Sequence, residues 1–129
     1  MTAPASSGVV PPKARGLRHL FDATRHSFAG FARLWQEAAA RLEIAGAALA
    51  ALALALHGAT AGQWMVFAGL CAAVLAVEAL NTALEILCDR LCPEWAPDIR
   101  DAKDLGSLAV GLGVAVTAGH VALVLLGGV

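Results

Sequence analysis

The chain has 129 residues, of which 59% are hydrophobic and only 15% are charged, and its net charge is −1. The mean hydropathy is +0.71, and a single domain of this length has too little interior to shield so much apolar surface from water. The composition therefore argues against an ordinary soluble domain, in which about a quarter of the residues are charged. It indicates a membrane protein, and the net charge gives no reason to predict a nucleic-acid partner.

The distribution of the charges is more informative than their sum. All nine Lys and Arg residues fall in two windows, residues 13–41 and residues 90–103. Residues 44–77 and 105–129 contain no Asp, Glu, Lys or Arg. Because Lys and Arg concentrate in the cytoplasmic loops of membrane proteins, both basic windows are predicted to face the cytoplasm.

The N-terminal part of the chain divides into a tail and an amphipathic segment. Residues 1–12 are small, polar and Pro-containing and are predicted to form a flexible tail, so that the membrane domain spans residues 13–129. Residues 14–34 mix Arg with Leu and Phe in a roughly amphipathic pattern. This pattern predicts a helix in the membrane interface, with Arg in water and Phe at the acyl boundary. An ordinary cytoplasmic helix is the alternative.

Three apolar spans follow, at residues 38–56, 64–91 and 105–126. At about 1.5 Å per residue the first is about 28 Å long, close to the thickness of the hydrocarbon core. The polar break at residues 57–63, before the second span, lacks Lys and Arg and is therefore predicted to lie on the outer side of the membrane. Pro93 and Pro97 are predicted to end the second helix, and residues 92–103 to form a charged loop. The predicted fold is all-α, with three transmembrane helices, the N-terminus inside and the C-terminus outside.

The second span carries a polar stripe composed of Glu78, Asn81, Glu85 and Asp89. At about 100° per residue the four side chains fall within about 80° of arc on an otherwise apolar helix. A carboxylate in hydrocarbon costs at least a few kcal/mol, so such a residue is a functional-site candidate. The alternative is that Glu78 and Asn81 simply form hydrogen bonds between helices.

The graded depth of the stripe suits phosphoryl transfer to a lipid. Glu78 can meet an alcohol buried with its lipid, while the shallower Glu85 can hold a hydrated cation that arrives with ATP. Mg²⁺ typically binds one or two carboxylates together with substrate phosphate oxygens. Glu37 is a candidate second ligand, Lys103 offers a point charge for phosphate, and Asp104 lies beside it.

Other chemistries receive less support from the sequence. The soluble kinase signatures are missing, including G-x-x-x-x-G-K-[ST]. A kinase of this sequence would therefore build its site from helices, which phosphoryl transfer permits because it demands mainly positioning and charge neutralisation. Cys71, Cys88 and Cys92 are an odd count that argues against a disulfide framework. Cys88 and Cys92 lack neighbouring zinc ligands, so free thiols are predicted.

Three segments together resemble the prokaryotic diacylglycerol kinase family. They are E-A-L-N-T-A-L-E-I-L-C-D at residues 78–89, A-K-D-L-G-S at residues 102–107 and E-A-A-A-R-L-E at residues 37–43. Their order and spacing also agree with that family, and the resemblance extends over residues 16–126. It implies a bacterial inner-membrane enzyme, a homotrimer with active sites shared between subunits, that uses ATP and Mg²⁺ to phosphorylate diacylglycerol.

The resemblance also implies a role for individual residues. Glu78 would be the general base, and Glu37 and Glu85 would bind the metal carried with ATP. The positions implied on the lipid side are Glu78, Asn81, Arg41 and Glu43. The positions implied on the nucleotide side are His19, His26, Glu37, Glu85, Asp89, Trp95, Lys103 and Asp104. Among these, His19 stands where relatives carry Arg, and His26 and Trp95 stand where they carry Tyr.

Two further functions remain open from the sequence. An undecaprenol kinase, which phosphorylates a polyprenol, would carry the same motifs. A non-catalytic membrane subunit or small transporter component would use the polar stripe to line an ion path or to pin helices together. The clustering of the polar groups at one membrane face favours a kinase over the second of these, and diacylglycerol is the substrate predicted here.

Overall fold

The computed structural model describes residues 17–94 and 96–127, which form four consecutive helices. They are α1 (Leu17–Leu34), α2 (Ala38–His57), α3 (Ala61–Leu91) and α4 (Pro97–Leu125). No strand occurs in these two segments. Helices α2, α3 and α4 are each long and apolar enough to cross a membrane. The predicted all-α membrane fold is thereby confirmed, while the predicted tail, residues 1–12, lies outside the described residues.

Helix α1 presents aromatic side chains that the other described residues leave uncovered. Phe21 and Phe28, seven residues apart and so on one face, are 77% and 73% exposed. Near the end of the helix, Phe31 packs against Trp35 with ring centroids 6.3 Å apart. Uncovered rings on a helix that also carries Arg suit a position in the membrane interface.

The connection between α2 and α3 is a tight turn with a well-formed cap on each side. Gly58, at φ +78°, ends α2 in the left-handed conformation that glycine adopts most easily. Thr60 begins α3 with a capping box, in which its hydroxyl accepts from the Gln63 N–H and its own N–H donates to Gln63 Oε1 at 2.7 Å. Because Thr60 provides the cap, α3 begins at Ala61 rather than at the predicted Trp64.

The start of α4 differs most from the prediction. The sequence predicts a loop over residues 92–103 and a span that begins at residue 105, but the helix starts at Pro97. Pro97 occupies the first turn, where a missing N–H leaves no hydrogen bond unmade, and Asp98 places a negative charge near the positive end of the helix dipole. Lys103 and Asp104 therefore lie on the second turn of a helix and not in a loop.

Helices α3 and α4 are antiparallel and form the most extensive helix pair of the fold. A Cβ added to Gly113 would lie 3.1 Å from Cγ2 of Val74, so the two backbones are close there. Towards the other end, His120 Nε2 lies 3.1 Å from the carbonyl oxygen of Gln63. Both contacts belong to the antiparallel register in which the charged ends of the two helices also meet.

The buried apolar core lies near the α2–α3 turn. It consists of Leu54, Phe67 and Val124, one residue from each of the three long helices. Many other large apolar side chains are uncovered, among them Leu56 and Met65, which are 82% and 78% exposed. A small core with apolar outer faces is the arrangement expected of helices surrounded by lipid or by neighbouring subunits.

Removal of the Thr60 hydroxyl should weaken the start of α3. Thr60→Ala is expected to lower the free energy of unfolding by about 1 kcal/mol, because an N-terminal amide of the helix loses its acceptor. Thr60→Ser keeps the acceptor and is the matched control. Denaturant unfolding in detergent micelles followed by circular dichroism measures both, and equal midpoints for the two variants would contradict the cap's contribution.

Candidate active site

Glu78 is a charged residue that is buried within the helix packing. It lies about 26 Å along α3 from the first residue of that helix, and only 4% of its surface is exposed. Thr82, one turn further along, is 7% exposed. The structure therefore places a carboxyl group inside the helix packing, near the end of the span that carries the charged residues.

Three further carboxylates have an unfavourable charge interaction with Glu78. One is Glu43 on α2, another is Glu85 on α3, and the third is Glu37, which is the N-cap residue of α2. One carboxylate oxygen of Glu43, Oε2, is buried and has no hydrogen-bond partner within the described residues. Residues of α2 and α3 thus contribute to one acidic cluster, and all four of its carboxylates are among the predicted site residues.

Asn81 connects the acidic cluster to α4. Its Nδ2 donates to Glu85 Oε1 at 3.2 Å, which is the i,i+4 contact expected within a helix. Its Oδ1 is buried and has no hydrogen-bond partner among the residues described. The carboxamide therefore fixes the orientation of Glu85 and leaves a free acceptor directed towards the backbone of α4.

The turn between α1 and α2 brings Glu37 to the cluster and is itself held by arginines. Arg33 on α1 forms an ion pair with Glu37. Arg41 donates to the carbonyl oxygens of Trp35 and Gln36, at 3.3 and 3.2 Å. Arg41 therefore contacts the turn between α1 and α2, and its assignment to the lipid side stays a prediction.

The charged ends of α3 and α4 meet beyond Glu85. Lys103 of α4 forms an ion pair with Asp89 of α3, and the charge of Lys103 also interacts with that of Glu85. Asp104 pairs instead with Arg100 on its own helix, at 3.6 Å. Lys103 is thus directed towards the site, while Asp104 lies on an exposed part of α4.

For three of the residues implied on the nucleotide side, the structure shows no contact with the acidic cluster within its described part. His26 is exposed on α1. His19 belongs to α1, but its side chain lies outside the described part of the structure, and so does Trp95. Their assignments stay predictions.

A divalent cation fits the donor set at this site. Carboxylate oxygens are the ligands that Mg²⁺ prefers, and Glu37 and Glu85 both lie near Glu78. Within residues 17–94 and 96–127, no three His, Cys, Asp or Glu side chains form a group that holds a metal without help. Mg²⁺ bound through one or two carboxylates would thus need oxygen ligands from a substrate.

Three residues near the cluster were not recognised as site candidates from the sequence. Thr82 lies on the same face of α3 as the polar stripe, and its 40° offset from Glu78 on a helical projection could have identified it. Arg33 is four residues before Glu37, a common ion-pair spacing. The approach of Gly106 to Asn81 needs the register of two helices, which no local signal provides.

These features define a helical membrane protein with an acidic site at the charged end of its helices. Residues 25–126 match the prokaryotic diacylglycerol kinase family, and the chain belongs to that family. A diacylglycerol kinase of a Sinorhizobium species is 44% identical over 97 residues, which cover 75% of this chain and 71% of the relative. One from Pseudomonas aeruginosa is 33% identical over 114 residues, 87% of this chain and 92% of the relative.

A diacylglycerol kinase from Helicobacter pylori is also similar, with 33% identity over 106 residues that cover 81% of this chain and 83% of the relative. The match over residues 25–126 includes all three segments on which the resemblance was based. The chain is therefore an enzyme of the lipid kinase class, and the alternative of a non-catalytic membrane subunit is set aside.

Loss of the Arg41 side chain should loosen the turn between α1 and α2. Arg41→Gln is expected to lower the free energy of unfolding by about 0.5–1.5 kcal/mol, since two carbonyl oxygens lose their shared donor. Arg90→Gln removes another exposed arginine, at the end of α3, and serves as the control. Unfolding midpoints in micelles measure both, and equal midpoints would contradict a role of Arg41 in the turn.

Proposed function

We propose that the chain transfers the γ-phosphoryl group of ATP to the hydroxyl group of diacylglycerol, giving phosphatidic acid and ADP. The observation that carries the proposal is the burial of Glu78, which is 4% exposed within a membrane-spanning helix. A carboxylate at that depth meets an alcohol that stays in the membrane with its acyl chains. The names of the family and of the three relatives support the same substrate.

Glu78 is the general base in this proposal. It accepts the proton of the lipid hydroxyl while the hydroxyl oxygen forms its bond to the γ-phosphorus and the bond from that phosphorus to ADP breaks. The neighbouring Glu43 lies on the lipid side, with one unpaired oxygen that can accept a second hydrogen bond from the glycerol part of the lipid. General bases of this kind contribute about 10²–10⁴ to the rate.

Glu37 and Glu85 would hold Mg²⁺ on the nucleotide side, where the ion neutralises phosphate charge during the transfer. Asn81 keeps Glu85 in place through its hydrogen bond of 3.2 Å. Lys103 lies on the same side, next to Asp89, and offers a point charge to a phosphate group. In this proposal the negative charges of Glu37 and Glu85 and the positive charge of Lys103 all lie on the nucleotide side of Glu78.

An apolar groove supports a lipid as the acceptor. It runs between α2, α3 and α4, has a volume of about 570 Å³, and is lined mostly by small and apolar residues. Glu43 lies among the lining residues, together with Ala47 and Val74. A groove that is apolar along its length and acidic at one point matches a molecule with acyl chains and a single hydroxyl group.

We also propose the orientation and assembly of the enzyme. Both Lys- and Arg-rich windows would face the cytoplasm, which places the site where ATP is available. The protein would lie in the bacterial inner membrane as a homotrimer with shared active sites. The uncovered apolar faces of the helices, such as the one that carries Leu49 and Leu56, support lipid or subunit contacts there.

Phosphate transfer from labelled ATP in mixed micelles tests the proposal. Diacylglycerol and undecaprenol are offered side by side to the purified protein with Mg²⁺ present. Labelled phosphatidic acid as the main product supports the proposal. Labelled undecaprenyl phosphate as the main product would keep the site and change the substrate, and transfer to neither lipid would contradict the proposed reaction.

Glu78→Gln should lower kcat by about 10²-fold or more, because the amide cannot take up the proton of the hydroxyl group. The KM for ATP should stay within about twofold, since the proposed metal ligands are retained. Glu94→Gln, which changes an exposed carboxylate after α3, is the matched control. Steady-state kinetics with both substrates varied measures kcat and KM. An unchanged kcat in Glu78→Gln would contradict the role of Glu78 as the general base.

Glu85→Gln should act on the metal rather than on the proton transfer. The Mg²⁺ concentration for half-maximal rate is expected to rise by about tenfold, as for the loss of one good interaction, with much of kcat recovered at high Mg²⁺. A Mg²⁺ titration at saturating ATP and lipid measures the change. The same response from Glu78→Gln and Glu85→Gln would show that the two roles have been assigned wrongly.

A further inference from the structure

Gly106 on α4 lies directly against the side chain of Asn81 on α3. A Cβ added to Gly106 would lie 2.0 Å from Asn81 Oδ1 and 3.1 Å from its Cγ. Since real Cβ atoms essentially never approach another heavy atom within 3.0 Å, the carboxamide fills the space that a side chain at this position would need. Any residue other than glycine would have to displace the carboxamide.

The other glycines of α4 do not have this relation to a polar group. A Cβ on Gly111 or on Gly119 would meet nothing within 4 Å, and one on Gly113 would meet the methyl group of Val74. Within α4, then, the close approach to a site residue belongs to Gly106. General packing of small residues between membrane helices does not account for it.

The two ends of the Asn81 carboxamide are in contact with different helices. Nδ2 donates to Glu85 Oε1 at 3.2 Å, and Oδ1 is buried against Gly106 without a hydrogen-bond partner in the described chain. Because the amide group is planar, rotation that moves Oδ1 away from α4 also moves Nδ2 away from Glu85. The backbone at Gly106 therefore controls whether Asn81 can orient Glu85.

We propose that Gly106 is a positioning residue of this kinase, whose bare backbone seats Asn81 so that the amide holds Glu85 in place. Its effect on catalysis rests on the proposed function, in which Glu85 binds the metal carried with ATP. Its effect on Asn81 rests on the geometry alone. In this proposal Gly106 acts through Asn81, the side chain that its backbone meets.

A double-mutant cycle tests the catalytic part. Gly106→Ala should lower kcat by about tenfold and raise the Mg²⁺ requirement, as one lost hydrogen bond to a charged group predicts. In the Asn81→Ala background the same change should have little further effect, because Asn81 Cβ is 3.8 Å from the added Cβ, an ordinary contact distance. Gly111→Ala, on the same helix, is the control that should keep wild-type kinetics.

A second measurement reports on the position of the Asn81 side chain and does not depend on enzyme activity. Asn81 is the only asparagine in the chain, so protein labelled with [¹⁵N]asparagine gives a single side-chain NH₂ signal in micelles. Gly106→Ala should shift that signal, and Gly111→Ala should leave it in place. An unshifted signal in Gly106→Ala, or equal losses of kcat from Gly106→Ala with and without Asn81, would overturn the proposal.

The two measurements separate this inference from the proposed function. If the unaltered protein transfers no phosphate to either lipid, the proposed reaction fails, and the NH₂ signal still decides whether Gly106 seats Asn81. If phosphate is transferred but the signal does not respond to Gly106→Ala, the proposed reaction stands and the role of Gly106 is wrong.

Discussion

The buried carboxyl group of Glu78 is the constraint around which the rest of the site is arranged. A carboxylate inside a membrane-spanning helix is costly, and in this chain the cost is increased by nearby carboxylates, of which Glu43 and Glu85 are two. Packing alone gives no reason to gather like charges at a buried position. The arrangement becomes reasonable under the proposed reaction, in which the lipid hydroxyl would donate a hydrogen bond to a carboxylate and a cation would balance the negative charge.

The helix packing keeps this acidic cluster in a defined geometry. The apolar core lies towards the α2–α3 turn, so the other end of the bundle is free to carry charged groups. The antiparallel register of α3 and α4 sets Gly106 against Asn81 and brings Lys103 to Asp89. Exposed ion pairs contribute little stability, typically about 0–1 kcal/mol. The ion pair of Lys103 and Asp89 therefore matters mainly because it places charge near the site. Stability rests mainly on the apolar contacts.

Much of the fold and part of the site could be predicted from the sequence. The fold follows from the length of the apolar spans, and the predictable part of the site follows from residue spacing along one helix. Long apolar spans identify membrane helices because the bilayer imposes their length, and the i,i+4 spacing of Asn81 and Glu85 makes their contact foreseeable. Charge was a poor guide to residues 92–103, where Pro97 begins a helix rather than ending one. The position of Arg41 at the turn and the contact of Gly106 depend on tertiary packing, which no local pattern encodes.

The most direct test of this account is the stability of Glu78→Gln, measured by unfolding in detergent micelles beside the unaltered protein. If Glu78 is kept for chemistry, its replacement by an amide of the same shape relieves the repulsion among the carboxylates. The free energy of unfolding should then rise by about 0.5–2 kcal/mol. A fall in that free energy would contradict the account, because it would show that the carboxylate is there to hold the helices together.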